Sequence, residues 1–180
     1  VRNKYEVRGN VTAIIINSKT HGLHETLIST KSLERANEFS SWHVSFDNKN
    51  QTFYVQGTIV VGKGKRKTIS LHRWLTYALD GMEVDHIDLN TLNNTDENLR
   101  VITSAENRQN RNLDKHNVSG YRNVSWYKNR DMWKVSIRFE GKQKHIGYFR
   151  DINEANQAAI EARRKYMPYS QEASLREVAQ

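Results

Sequence analysis

Along the first 81 residues, apolar and polar positions follow the period of strands. Val11-Thr12-Ala13-Ile14-Ile15-Ile16 is a β-branched run, Trp42-His43-Val44-Ser45-Phe46 alternates with period two, and residues 53–61 are rich in strand formers. The polar run Asp47-Asn48-Lys49-Asn50 predicts a hairpin turn between the last two. Residues 31–39 read as a short helix behind Thr30 as cap. Residues 62–67 read as a basic turn, followed by a helix over 72–79 that ends near Asp80-Gly81. Residues 82–112 then read as strand, polar loop, strand and helix. Thr103 and Glu106 fit a capping box there, with Asn107 in the first turn and Asn110 and Arg111 on its face. Past a polar linker at 113–119, strands are predicted near 122–127, 133–139 and 144–149, with a tight turn at Glu140-Gly141-Lys142. A helix over 153–166 follows, with Asp151 and Glu154 as a capping pair and Pro168 as a stop. Ile152, Ala155, Ala159, Ala162 and Tyr166 make one small-residue stripe on it, suited to lying close against a sheet.

The predicted class is therefore α+β. The division is a β-rich domain over 1–112 with its strand–loop–strand–helix unit at 82–112, a linker at 113–119, and a three-stranded sheet on one helix at 120–175. A hydrophobic share of 37% over 180 residues allows compact cores, though not generous ones. No stretch is apolar enough for a membrane helix, and the start Val1-Arg2-Asn3-Lys4 has no apolar signal segment. Both point to a cytoplasmic, non-secreted protein, and the absence of cysteine excludes disulfides and cysteine-based zinc sites.

The net charge of +8 is concentrated. Residues 1–107 hold 13 Lys/Arg against 12 Asp/Glu and residues 145–180 hold 5 against 5, but residues 108–144 hold 10 against 3. In that basic segment the cations are interleaved with Trp126, Tyr127 and Trp133, a pattern that favours a polyanion-binding surface over a merely solvated face.

The candidate chemistry lies just upstream of it. Val84-Asp85-His86-Ile87-Asp88 is followed by Asn93-Asn94, by Asn98-Leu99-Arg100 and by Asn107. A histidine beside a carboxylate, with asparagines leading into a helix start, can hold one divalent cation and set an imidazole next to it. In a regular strand, however, Asp85 and His86 point to opposite faces. Asp88 reads as a turn residue rather than a second acid, and Glu106 as a cap rather than a ligand. His72 reads as a packed histidine tethering its helix, with contact to His86 or phosphate as the other reading. His21 and His24 read as a solvated loop.

The combined pattern resembles the HNH endonucleases, and Leu71-His72-Arg73 before a short helix is similar to phage and intron homing members. The resemblance implies a metal-dependent endonuclease acting on double-stranded DNA. It gives His86 the role of general base, Asp85 and Asn107 the metal, and Asn98 the bracing of the loop. One carboxylate and one amide oxygen make a hard, incomplete donor set, which favours a single Mg²⁺ or Mn²⁺ per site. Arg100, Arg108 and Arg111 are the expected phosphate contacts of this part. A single such site implies a monomer that nicks one strand, with two copies or two encounters needed to cut both and a dimer as the other state.

Gly120 to Val124, Trp133 to Arg138 and His145 to Phe149, with the Ala-rich helix, resemble an AP2 domain, whose sheet enters the DNA major groove. Strand parity puts Lys134, Ser136 and Arg138 on the face away from the helix. Arg122 and Arg138 match the family's arginines, while Ser125 and His145 stand where plant members carry arginine and tryptophan, so that family's base readout is not carried over. Lys128, Arg130, Lys142 and Lys144 read as phosphate contacts. Two other readings stand beside the nuclease: a non-catalytic AP2-type regulator with a relic HNH scaffold, and an RNA-binding or structural protein.

Overall fold

The computed structural model describes residues 2–62, 64–114 and 116–173. The chain forms two units, Val1–Ser104 and Ala105–Gln180.

In the first unit, strands β1 (Tyr5–Arg8), β2 (Val11–Ser18) and β3 (Gly22–Ser29) form an antiparallel meander. The predicted β-branched run is the first part of β2, where Ala13, Ile14 and Ile16 are buried. After the short helix α1 (Leu33–Ala36) come β4 (Trp42–Asp47), β5 (Thr52–Val61) and β6 (Lys65–Ser70), a second antiparallel sheet in the order β4-β5-β6. Helix α2 (Leu71–Leu75), strand β7 (Glu83–His86), the short β8 (Asn93–Asn94) and β9 (Leu99–Ile102) follow, and α3 (Ser104–Asn107) starts on the unit's last residue, its other three residues belonging to the second unit. Strand β8 joins the edge of the first sheet, parallel to β3, while β7 and β9 pair with each other. One core unites these pieces: Ile14, Ile16 and Ile28 meet Phe39, Trp42, Val44, Val55, Leu71 and Leu75. Phe39 stacks on Trp42 at 4.3 Å, and the indole N–H of Trp42 donates to the Ala36 carbonyl at 3.0 Å. Gly57 is required opposite them, because a Cβ there would collide with the Phe39 ring.

Three helices are shorter than predicted, each for a visible reason. Thr30 does not cap a helix over 31–39; its hydroxyl donates to Gly9 and meets Thr12, and only a 3-10 turn and α1 follow. Helix α2 stops at Leu75 because Tyr77 takes a left-handed backbone (φ 54°), and the Arg73 guanidinium captures the carbonyls of Ala78, Leu79 and Met82. Helix α3 is a single turn. Gln109 and Asn110 continue it with i to i−3 bonds, and the Gln109 carbonyl is taken by Arg122 at 2.9 Å.

In the second unit, β10 (Val124–Tyr127), β11 (Met132–Phe139) and β12 (Lys142–Phe149) form an antiparallel sheet covered by α4 (Ile152–Tyr166). The small-residue stripe works as expected: Ala155, Ala159 and Ala162 are buried against Val124, Val135 and Ile137. The Asp151 carboxylate accepts from the backbone of Asn153 and Glu154, capping α4. Residues 140 and 141 both take positive φ, as a two-residue hairpin turn demands. A bulge on β12 skips Ile146 between Gly147 and His145, turning it into the core. Among the described residues no helix is long and apolar enough to cross a membrane.

Ile28 is fully buried where β3 meets the second sheet's core. Ile28→Ala is expected to lower stability by about 2–5 kcal/mol, read as a lower urea midpoint with an unchanged denaturant slope.

Candidate functional site

The site is built on the β7–β9 pair. Asp85 lies opposite Arg100 and His86 opposite Leu99, and the backbone N–H of Ile87 closes the ladder on the Asn98 carbonyl. Strand parity holds. Asp85 pairs across the ladder with Arg100, whose Nε and Nη2 donate to one carboxylate oxygen at 2.9 and 2.6 Å. His86 projects to the other side, where its Nε2 meets the Asn94 side-chain oxygen at 3.1 Å and its ring packs edge-on against His72 at 5.2 Å. Both Asp85 and His86 are buried, at 6% and 5% exposure, so the alternation of the strand sends neither to open solvent.

The loop between the two strands is held by its own side chains. Asp88 accepts from the Asn90 backbone and from the amides of Asn93 and Asn98, each at 2.8 Å. Asn98 in return accepts from the Asp88 backbone N–H at 2.9 Å and donates to the Asn93 carbonyl at 2.7 Å. Asp88 is thus the turn-starting residue that its position suggested. Asn98 makes the loop-bracing bonds to backbone, and at 6% exposure it has few alternatives in water.

The first sheet anchors this loop. Asn94 donates to the Thr26 hydroxyl at 2.8 Å and Thr26 donates to the Leu92 carbonyl at 2.8 Å. Ser29 accepts from the Asp96 backbone at 2.8 Å. Because the Asn94 amide nitrogen is spent on Thr26 and Thr91, its carbonyl faces His86. A neutral imidazole therefore donates from Nε2 to Asn94 and has Nδ1 as its acceptor nitrogen. Burial pushes the His86 pKa down, outweighing the opposite pull of Asn94, Asp88 and Asp85. His72, buried beside it, is pushed down to about 3 by burial first, then by His86 and Arg73. His72 is thus a packed histidine and also the ring against His86. Tyr54 of β5 completes the wall at 5.6 Å from His72 and 6.5 Å from His86. Tyr54 and Thr26 carried no sequence signal beyond lying on predicted or unassigned strands. Asn94 did lie within the motif, although its service to His86 was not legible.

The remaining candidate positions are distributed over both units. Arg100, expected at phosphate, is engaged by Asp85. Asn107 is the last residue of α3, half-buried, and belongs to the second unit. Arg108 and Arg111 are exposed and line a cleft of about 710 Å³ with Arg122 and Arg138, all of them in that unit. Arg122 is half-buried and its pKa is pushed down by burial and by Arg163, whose own guanidinium is clamped by Glu172 at 2.6 Å. Lys134, Ser136 and Arg138 share the sheet face away from α4, with Tyr127 and Tyr148 between them. Arg130 stacks on Tyr148 at 4.5 Å. Lys128 is exposed. Lys142 and Lys144 fall opposite Phe139 and Ile137 and so lean to the helix side, Lys144 over the Tyr166 ring at 4.7 Å. His21 is exposed in the turn between β2 and β3, as its loop reading has it, while His24 lies on β3; their rings meet Phe53 at 5.2 and 4.4 Å.

Among the described residues no cluster of three or more His, Asp or Glu is arranged for a metal. The oxygen donor at the site is the buried Asp85 carboxylate, paired with Arg100, and the chain has no thiolate, a chemistry that fits a hard divalent cation rather than a soft one.

The low pKa of His72 has a consequence for stability. Between pH 6.5 and about 3 the unfolded chain binds a proton that folded His72 refuses, so stability falls as pH drops through that window. His72→Phe is expected to make this fall shallower in urea titrations at several pH values; an equally steep fall would mean that His72 is not the group responsible.

Residues 77–109 match the family model described as HNH endonuclease. A stretch of 66 residues is 42% identical to Protein 3.8 of Escherichia phage T7, covering 37% of this chain and 54% of that protein. The chain thus spans about half the length of the curated relative it matches. No solved structure matches the chain. Asp85, His86 and the Asn98-braced loop lie inside an HNH endonuclease family domain at residues 77–109.

Proposed function

We propose that this chain is a metal-dependent endonuclease that hydrolyses phosphodiester bonds of double-stranded DNA, of the phage homing type. The observation that carries the reading is His86: buried, kept neutral, turned by Asn94 so that Nδ1 is the proton acceptor, and adjacent to the buried Asp85. In this reading His86 accepts the proton of the attacking water, and the loop bonds of Asn98 hold it in register with the substrate. Mg²⁺ or Mn²⁺, with Asp85 and Asn107 as its protein ligands, would supply positive charge to the phosphate and to the departing 3′-oxygen. The second unit, in its AP2-like reading, is the DNA-holding part. Its sheet-on-helix build and the cations Lys134, Arg138, Arg130 and Lys128 support that role, with Ser136 on the same face. Arg108, Arg111, Arg122, Lys142 and Lys144 supply further positive charge around it. A basic unit tethered to the nuclease raises the local DNA concentration. The protein then acts as a monomer that nicks one strand, in the cytoplasm of the host cell.

One observation favours a second reading. Arg100 neutralises Asp85 as a cation would, which is what a DNA-binding regulator with a disused HNH scaffold would show. In the nuclease reading, Arg100 yields to the metal and turns to the phosphate.

Supercoiled plasmid separates the two. Mg²⁺-dependent relaxation that stops with EDTA and drops by about 10²–10⁴-fold in His86→Ala is the expected outcome. Relaxation that survives His86→Ala removes the base assignment, and none in any divalent metal, on DNA bearing the target site, favours the regulator. For the second unit, Lys134→Ala with Arg138→Ala is expected to reduce the slope of log affinity against log salt by about 2. An unchanged slope takes that sheet face out of the interface.

A further inference from the structure

The described residues of the basic hairpin between β5 and β6 make no bond to the network around His86. From Thr58 to Ile69 the chain holds four cations, Lys63, Lys65, Arg66 and Lys67, and no acid. Strands β5 and β6 pair through Thr58 with Thr68, Ile59 with Lys67, Val60 with Arg66 and Val61 with Lys65. Beyond Ile59 this ribbon leaves the core: Lys65, Arg66 and Lys67 are all exposed, and Val60 near its tip is 68% exposed. Lys65, Arg66 and Lys67 make no ion pair with another described residue. A bare two-stranded ribbon gains little stability of its own, so its length and composition call for another explanation.

Strand parity supplies a direction. Phe53, Val55, Gly57 and Ile59 face the core, so Tyr54, Gln56, Thr58 and Val60 share the opposite face, together with Ser70, Thr68 and Arg66 across the ladder. Tyr54 is the residue that walls the His72–His86 pair. The face that begins at the candidate base therefore runs out along the ribbon as a polar strip ending in Val60 and Arg66.

We infer that the β5–β6 ribbon is a DNA-binding arm, lying along the groove of a duplex whose scissile phosphate is at His86. The inference rests on the nuclease reading and adds a contact surface to it. A two-stranded ribbon matches the width of the major groove, and the exposed cations of β6 match phosphate charge. The six residue-to-residue steps from Tyr54 to Val60 span about 20 Å at roughly 3.3 Å each. That distance corresponds to about six base steps at about 3.4 Å per step along one strand. The arm thus reaches phosphates about half a helical turn from the cut. The competing explanation is that the cations only keep the edge strand β6 from pairing with other chains.

The test uses the full chain in EDTA, where DNA is bound without being cut, and a duplex of about three helical turns. Lys65→Ala/Arg66→Ala/Lys67→Ala, all exposed positions, is compared with the wild type, and circular dichroism checks the fold. The expected results are a salt slope smaller by about 1 to 3, Arg66 lying on the strip and Lys65 and Lys67 on the ribbon's other face, and loss of hydroxyl-radical protection over a few base pairs, with the rest of the footprint retained. With Mg²⁺, the lost protection should lie about six base pairs to one side of the nick. Wild-type slope and footprint in the variant would overturn the arm while leaving the nuclease intact, as would a variant that aggregates but binds normally. Tighter loss on single-stranded RNA than on duplex DNA would also overturn it. A wild-type protein that neither binds nor nicks duplex would sink the nuclease reading itself, a result distinct from any of these.

Discussion

The side-chain amide of Asn94 is the joint on which the candidate site depends. Its carbonyl meets His86 and its nitrogen donates to Thr26 of β3, so the imidazole is oriented from the neighbouring sheet rather than from its own strand. Asn94 is itself almost fully buried, at 1% exposure. A buried amide with unmet partners costs about 1–3 kcal/mol, so the position of His86 is coupled to the pairing of β8 with β3. The β1–β3 meander carries no chemistry of its own, yet it supplies the fixed wall against which the polar loop closes.

Around that joint, two charges are handled differently. His86 and His72 sit in surroundings that disfavour a proton, and burial is the first cause for both. Asp85 is held in its buried position by a cross-strand bond to Arg100. Removing a charge partner inside a protein costs several kcal/mol, whereas exchanging one cation for another need not.

Much of the local structure was legible in the residues. The β-branched run of β2, the alternation of β4, the Asp151 cap and the alanine stripe of α4 are patterns whose partners lie nearby in sequence or on a predictable face. The helices at 31–39, 72–79 and 103–112 were overestimated for a common reason. Each ends where a polar group bonds outside the helix: the Thr30 hydroxyl to Gly9, Arg73 to the carbonyls of residues 78, 79 and 82, and Arg122 to that of Gln109. Local propensity cannot register such competition.

By itself, the sequence determined the residue types at the site, their spacing, the concentration of positive charge after Asn107, and the parity that separates Asp85 from His86. These depend on covalent order and on the period of a strand. Packing across the sheets set the rest: Asn94 meets the imidazole, Arg100 turns to Asp85, and Tyr54 and His72 close around His86. Those contacts join residues many positions apart, and their selection rests on burial: once water is excluded, each polar group must accept the partner that packing brings to it.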